Sequence, residues 1–205
     1  MKIERIIIGI IILSIVGFIF YSIQGSQSSE GYIAEIKNFR EEKDKLLVTE
    51  GNPFASNPSA FKGLKYYDPD PAFRISASLK PARDRKVVRL PTNDGMESRY
   101  LEYGYAEFSI DGEKCRLLIL ELMEPGPNRG DLFLAFADET SASETYGAGR
   151  YLDIKKVPGS SSILLDFNKA YSPYCAYSDN YSCPFPPREN ILPVAIRAGE
   201  MIYPK

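Results

Sequence analysis

The segment from Asp166 to Glu200 restricts the fold of this chain more than any other part of its sequence. It contains five prolines, two cysteines and four tyrosines. Proline fixes φ and has no backbone N–H, so the segment cannot form a regular helix or a central strand. A long ordered loop in a compact domain is usually a functional loop or a covalently cross-linked one. We therefore expect an ordered loop of one of these two kinds.

The chain contains no histidine among its 205 residues. A Ser-His-Asp or Cys-His catalytic centre is therefore impossible, and so are the usual histidine-bearing zinc and iron sites. Any enzymatic chemistry would have to come from carboxylates, tyrosine, lysine, arginine or cysteine. The carboxylates lack the spacing of a calcium-binding loop, so the sequence predicts neither a metal nor a cofactor.

The charge of the chain argues against nucleic acid as a partner. The formal net charge is −2 and the pI is about 5.4, without a long basic stretch. Binding to nucleic acid requires clustered positive charge that neutralises phosphates. The average composition and length instead predict one globular domain.

The N-terminus contains an apolar run, Ile6 to Ile23, without a charged side chain. As a helix with a rise of about 1.5 Å per residue it would be about 27 Å long, close to the thickness of the hydrocarbon core of a bilayer. Lys2 and Arg5 precede the run, and no lysine or arginine follows it before Lys37. The positive-inside rule then predicts a cytoplasmic N-terminus and an extracytoplasmic location for residues 24–205.

The sequence therefore predicts a single-pass protein of the cell membrane with two parts. Residues 1–27 form the transmembrane anchor and a linker, and residues 28–205 form the extracytoplasmic domain. A cleaved signal peptide is the alternative, although the apolar run is longer than the apolar region of a typical signal peptide.

The extracytoplasmic part is predicted to be mainly β (α+β). An amphipathic helix is expected over Tyr32 to Val48, with the REEKDK sequence at residues 40–45 facing water. Asp111-Gly112 lies between two strand-like runs and is a strong signal for a two-residue hairpin turn. Further strands are expected at Phe73–Leu79, Leu132–Ala137, Tyr151–Ile154, Ile163–Phe167 and Leu192–Ile196. About eight short strands without intervening helices predict an antiparallel β-barrel- or sandwich-like domain.

Short motifs with a distinctive order occupy most of the extracytoplasmic part. They are Phe61–Tyr67, Phe136–Asp138, Tyr146–Leu152, Asp166–Asn168, Cys175–Tyr177, Cys183-Pro184, Pro186-Pro187, Glu189-Asn190 and Ala198–Glu200. Together they resemble the family known as domain of unknown function 1684. The resemblance covers nearly all of the extracytoplasmic part and none of the predicted anchor. It implies no particular activity or ligand.

The two cysteines of the C-terminal loop, Cys175 and Cys183, are separated by seven residues. This spacing is unlike a CxxC redox pair or a zinc knuckle. In an oxidising compartment the simplest expectation is a disulfide, which would stabilise the loop by roughly 2.6 kcal/mol. The alternative is a nucleophilic Cys175, which would need a nearby cation or helix N-terminus to lower its pKa. Cys115 is expected to pack on a strand as a small apolar residue.

Arg150 follows a glycine-rich loop, Tyr146 to Gly149, and enters a predicted strand. The loop lacks the Lys-Ser/Thr pair and the following helix of a phosphate-binding loop. Arg150 could bind an anionic ligand through its guanidinium. The alternative is a buried ion pair with Asp138 or Asp166, since buried charges need partners. We favour the ion pair.

The candidate ligand-binding residues are charged, amide or tyrosine side chains of these motifs. They are Asp138, Tyr146, Arg150, Asp166, Asn168, Tyr171, Glu189, Asn190 and Glu200. The first hypothesis is a non-catalytic module that binds a small molecule or another component of the cell envelope, with tyrosines stacking on a planar ligand. The second is a histidine-free hydrolase that uses two carboxylates among Asp138, Asp166, Glu189 and Glu200. The third is a purely structural domain in which these groups bond to one another.

Overall fold

The computed structural model describes residues 29–204, which form one helix, seven strands and five short 3-10 helices. The helix, α1, covers residues 29–47. The strands are β1 (Arg74–Pro81), β2 (Val87–Pro91), β3 (Glu97–Ile110), β4 (Glu113–Leu122), β5 (Leu132–Phe136), β6 (Arg150–Ile154) and β7 (Ser162–Asp166). The predicted anchor run Ile6–Ile23 lies outside the described residues. Between residues 29 and 204, no helix is both long and apolar enough to cross a membrane.

The strands form a single antiparallel sheet with the order β6-β5-β4-β3-β1-β7, and β2 pairs with β3 beside this path. The first half of β3 pairs with β2 and the second half with β1. Between these halves the register with β4 shifts at Glu102 and Gly104, and a β-bulge of this kind bends a strand. The sheet is accordingly a curled half-barrel. The predicted mainly β, antiparallel fold with one helix is confirmed.

The predicted hairpin at Asp111-Gly112 is also confirmed. These two residues connect β3 to β4, and both have positive φ, 52° for Asp111 and 85° for Gly112. A two-residue turn with positive φ at both positions matches the right-handed twist of the flanking strands. Glycine adopts this conformation without steric cost, and aspartate tolerates it better than most residues.

The sheet has a hydrophobic core on each face. The first core takes side chains from every strand except β2 and is closed by the C-terminal segment 192–198. The second core is smaller and includes Leu118, Leu120, Tyr151, Cys175 and Cys183. All five residues of β5 are buried, because both faces of this strand are covered. The C-terminal loop therefore covers the second face of the sheet.

Two details of the sequence-based strand assignment are corrected. Residues 192–196 do not form a strand, although their alternate apolar side chains are buried in the first core. Pro193 has no N–H to donate to a ladder, and the segment packs as an irregular plug. β2, in contrast, was not predicted. Its alternating pattern is short, and Leu90 is its buried apolar residue.

The amphipathic helix predicted at 32–48 is confirmed as α1. Its inward-facing stripe consists of the buried Tyr32, Ile36, Arg40 and Leu47 and the partly buried Lys43, at the three- and four-residue spacing of one helix face. Arg40 was expected to face water with the REEKDK sequence, and that expectation is wrong. The Arg40 guanidinium instead donates to the carbonyls of Tyr67 and Asn168, so it is buried with partners.

Candidate functional site

Arg150, the first residue of β6, is 1% exposed and forms a buried ion pair with Asp138. Its Nη2 donates to Oδ2 of Asp138 at 2.8 Å and to the carbonyl of Ile196 at 2.8 Å. Its Nη1 donates to the carbonyl of Ala198. Of the two expectations for Arg150, the structure shows the ion pair. The guanidinium ties the irregular segment 192–198 to the edge strand β6.

The carboxylate of Asp138 is also fully occupied by protein donors. Its Oδ1 accepts from the backbone N–H of Thr140 at 2.9 Å, from the Thr140 hydroxyl at 2.6 Å and from the N–H of Ile196 at 3.2 Å. Buried carboxylates of this kind need their lone pairs satisfied. The Arg150–Asp138 pair is therefore a structural tie in the described structure.

Asn190 completes the sheet where the pairing of β4 and β5 ends at Leu120. Its side-chain amide donates to the carbonyls of Leu118 at 3.0 Å and Ala135 at 2.8 Å. Its Oδ1 accepts from the N–H of Leu118 at 2.7 Å. The buried amide thus takes the place of a missing backbone partner between two strands.

Asp166 and Asn168 hold α1 against the end of β7. The hydroxyl of Tyr32 donates to Oδ1 of Asp166 at 2.7 Å, and Nδ2 of Asn168 donates to that hydroxyl at 2.9 Å. Asn168 also exchanges hydrogen bonds with the backbone of Asp70 at 2.9 and 2.7 Å. Burial, and then the hydrogen bond to Asp166, raise the pKa of Tyr32. The cluster attaches the helix to the sheet through polar contacts.

Glu200 is fully buried and lies behind the helix. Tyr177 donates its hydroxyl to Oε1, and the Lys43 ammonium lies 3.5 Å from Oε2. Burial raises the pKa of Tyr177, and the adjacent Glu200 adds to this effect. Glu189, the remaining carboxylate candidate, is exposed to solvent. The Glu189 side chain is thus separate from the buried carboxylates Asp138, Asp166 and Glu200.

The predicted disulfide between Cys175 and Cys183 is not present, because no bond joins the two sulfur atoms. Instead the backbone N–H of Cys175 donates to Sγ of Cys183 at 3.3 Å. A hydrogen bond between the side chains, followed by burial, raises the pKa of the Cys183 thiol. The hydroxyl oxygen of Tyr146 lies 3.8 Å from Sγ of Cys175. The loop is held by burial of these groups in the second core, and Cys115 is buried on β4 as predicted.

A cleft of about 610 Å³ lies between α1, β6 and the cysteine loop. Its walls are mostly aromatic and apolar side chains. They include Phe39, Leu46, Leu47, Tyr151, Tyr171, Pro173, Tyr174, Tyr181 and Pro184, with Ser182 beside them. A second depression of about 710 Å³ shares Tyr151, Asp153, Tyr171 and Pro184 with the cleft. The volume of the cleft is that of a small-molecule site.

Two charged side chains, Lys43 and Asp153, lie on either side of Tyr171 in this cleft. The Lys43 ammonium is 3.7 Å from the centroid of the Tyr171 ring, and the Tyr171 hydroxyl donates to Oδ1 of Asp153 at 2.9 Å. Desolvation lowers the pKa of Lys43, and Glu200 opposes this shift. Asp153 is exposed at the cleft surface, yet the concave wall removes part of its water, which raises the pKa of its carboxyl. The same desolvation raises the pKa of Tyr171.

In the structure most of the sequence-predicted candidates are buried, and few of them line the cleft. Among them Tyr171 lines the cleft, while Arg150, Asp138, Asp166, Asn168, Asn190 and Glu200 bond to other protein groups beneath the surface. None of the four carboxylates proposed for a hydrolase lines the cleft. Sequence reasoning did not single out Lys43 or Asp153. Lys43 did carry a signal, since it is a charged residue on the apolar stripe of α1.

Metal binding finds no support in the part of the chain that the structure describes. Between residues 29 and 204, no three cysteine, aspartate or glutamate side chains converge as metal ligands. The cleft instead offers one ammonium, exposed carboxylates and several aromatic rings.

Comparison with known proteins identifies the family. Residues 59–201 match the family described as "Protein of unknown function (DUF1684)". The chain belongs to this family. None of the curated proteins matches the chain. The solution NMR structure of an uncharacterised protein from Haloarcula marismortui is similar, with 34% sequence identity, a TM-score of 0.66, and coverage of 85% of this chain and 96% of that one.

The DUF1684 match divides the cleft between family and non-family parts. Asp153, Tyr171 and the cysteine loop lie within the matched residues 59–201. α1, and with it Lys43, precedes the matched region. One wall of the cleft therefore belongs to the DUF1684 domain, and α1 supplies the other wall.

Proposed function

We propose that this DUF1684 protein is a non-catalytic binding protein whose ligand occupies the cleft between α1 and β6. The observation that carries this proposal is the aromatic lining of a concave space of about 610 Å³ with few polar groups. Small-molecule sites typically combine such apolar walls with a few fixed polar groups that orient the ligand. Lys43 and Asp153 are groups of this kind.

The carboxylates predicted for a hydrolase lie outside the cleft, which contains Asp153 and Glu42 instead. Glycoside hydrolysis by carboxylates requires two of them facing one open space. Asp138, Asp166 and Glu200 are instead enclosed by protein donors or by an ion pair. In the cleft, Asp153 accepts a hydrogen bond from Tyr171, and the nearby Lys43 is paired with Glu200. These groups suit recognition of a ligand.

A thermal-shift screen of the full chain against small organic molecules tests the proposal. A cleft ligand at 100 times its Kd should raise the midpoint by about 5–10 °C, because it binds the folded state alone. Ser182→Trp should abolish that shift, since Ser182 is an exposed residue lining the cleft and an indole would fill the space.

Ser182→Ala is the matched control for this screen. It removes the hydroxyl, which helps to lower the pKa of Asp94, but leaves the cleft open. The ligand-induced shift should therefore persist in Ser182→Ala. Shifts that are equal in the tryptophan variant and the wild type would place the ligand elsewhere. A broad screen without any shift sensitive to Ser182→Trp would contradict the proposed function.

We also propose that the cleft faces the extracytoplasmic side of the cell membrane. The apolar run Ile6–Ile23, with Lys2 and Arg5 before it, supports this orientation. Protease added to intact spheroplasts should digest residues 28–205 while a cytoplasmic marker protein survives. A domain that resists digestion until the cells are lysed would overturn the topology.

A further inference from the structure

The charged groups of the cleft are one ammonium, that of Lys43, and the carboxylates of Glu42 and Asp153, with Glu200 beside Lys43. Lys43 is paired with Glu200 at 3.5 Å, so these two charges offset each other. The hydrogen-bond donor to Asp153 is the neutral hydroxyl of Tyr171. Within residues 29–204 no lysine or arginine nitrogen lies within 4.0 Å of the Asp153 carboxylate, although Lys43 is near enough to lower the pKa of that carboxyl. Glu42 adds a second exposed carboxylate at the cleft. The cleft therefore favours a positively charged ligand.

The tyrosines of the cleft offer a ligand their aromatic rings but no free hydroxyl proton. Each of the four donates its hydroxyl proton to a protein acceptor. The acceptors are the carbonyl of Pro184 for Tyr151 at 2.6 Å, Asp153 for Tyr171 at 2.9 Å, Asn52 for Tyr174 at 2.7 Å and the carbonyl of Gly51 for Tyr181 at 3.1 Å. These bonds fix the rings before a ligand arrives. A sugar would need many hydrogen-bond partners, whereas fixed aromatic rings suit a cation.

The protein itself shows that this wall accepts an ammonium group. The Lys43 ammonium lies 3.7 Å from the centre of the Tyr171 ring, within the range of a cation–π contact. Tyr151, Tyr174 and Tyr181 line the same space. A primary ammonium is strongly hydrated, so a methylated ammonium would lose less hydration on entering such an apolar cleft.

From these contacts we infer that the cleft binds an organic cation of the quaternary ammonium class, with Asp153 as its counter-ion and the tyrosine rings as its walls. This inference rests on the proposed function and specifies the chemistry of its ligand. Lys43 and Glu200 offset each other at 3.5 Å, so Asp153 and Glu42 supply the excess negative charge of the cleft.

A pair of probes that differ in charge alone tests the inference. Choline and its neutral carbon isostere 3,3-dimethylbutan-1-ol have the same shape, and both can be titrated into the full chain by calorimetry. Choline should bind at least tenfold more tightly than the neutral alcohol. Equal affinities would overturn the cation inference and leave the binding cleft in place.

Variants of the two cleft carboxylates test the role of Asp153. Asp153→Asn keeps an acceptor for the Tyr171 hydroxyl but removes the charge, and should weaken choline binding at least tenfold. Glu42→Gln removes an exposed charge of the same cleft and should weaken it less than threefold. If the two variants lose choline affinity equally, the cation responds to the overall negative charge of the cleft, and the assignment of Asp153 as counter-ion is overturned.

The thermal stability of Asp153→Asn shows whether a loss of choline binding comes from the removed charge or from misfolding. Desolvation raises the pKa of Asp153, so its charged form is less favourable in the folded protein than in the unfolded chain. The resulting destabilisation grows as the pH rises through the raised pKa and is absent below the unfolded value. The midpoint of Asp153→Asn at neutral pH should therefore equal or exceed that of the wild type. A variant that melts earlier and loses choline would assign Asp153 to the structure instead.

Quaternary ammonium groups occur both in free solutes and in lipid headgroups. Vesicles of phosphatidylcholine and of phosphatidylglycerol distinguish these sources when added to the choline complex. If only the phosphatidylcholine vesicles displace choline, the ligand is the lipid headgroup. If neither kind of vesicle displaces choline, the ligand is a free solute. If choline fails to bind while another compound shifts the midpoint in a Ser182→Trp-sensitive manner, the cation inference fails and the proposed function stands.

Discussion

Replacing Arg150 with methionine is expected to lower the free energy of unfolding by about 3–5 kcal/mol. Methionine keeps an unbranched side chain but removes the charge that pairs with Asp138 at 2.8 Å. The buried carboxylate would keep its desolvation cost without its partner. The carbonyls of Ile196 and Ala198 would lose their donors as well. Urea unfolding followed by circular dichroism measures the loss, and tyrosine fluorescence provides a second probe because the chain has no tryptophan.

Arg197→Met is the matched control for this substitution. Arg197 also pairs with a carboxylate, that of Glu144 at 2.9 Å, but its side chain is 60% exposed. An exposed ion pair contributes little because water screens it, so the expected loss is below about 1 kcal/mol. Arg150→Met combined with Asp138→Leu should recover part of the stability, since it leaves no unpaired charge. A loss for Arg150→Met no larger than that for Arg197→Met would contradict a structural role and return Arg150 to the ligand-binding candidates.

The parts of the fold that depend on neighbours in the sequence could be predicted. Asp111-Gly112 determines its hairpin because the turn itself needs positive φ at both residues. α1 follows from the spacing of its apolar residues. The segment 192–196 shows where this reasoning fails. Its buried alternation resembles a strand, but Arg150 satisfies the carbonyl of Ile196 in place of a ladder, and only the tertiary structure reveals that contact.

The candidate site was harder to predict, because the cleft arises from the packing of distant segments. Lys43 and Asp153 are 110 positions apart in the sequence and meet on either side of Tyr171. Neither belongs to a motif with a recognisable spacing. The motifs that identify the DUF1684 family instead contain residues such as Asn168 and Asn190, which bond to backbone groups. In this chain, motif residues such as these two asparagines thus hold backbone segments in place.

Replacing Asn190 with alanine is expected to destabilise the protein by at least about 3 kcal/mol. The substitution removes the partners of the Leu118 N–H and of the Leu118 and Ala135 carbonyls, all in a buried part of the sheet. Each buried backbone group left without a partner costs about 1–3 kcal/mol, and the small cavity adds to this. The unfolding free energy measures the total, and hydrogen exchange at the Leu118 amide should accelerate more than that of amides elsewhere in β4.

Asn180→Ala is the control, because Asn180 is exposed in the same C-terminal loop. Its effect should stay within about 0.5 kcal/mol. The two variants also show whether Asn190 has a structural role or binds the ligand. If Asn190→Ala abolished a ligand-induced thermal shift without lowering stability, Asn190 would be a ligand-binding residue. Because three of its polar contacts go to the backbone of β4 and β5, we expect the opposite: a large loss of stability, and ligand binding that persists in the fraction of molecules that remain folded.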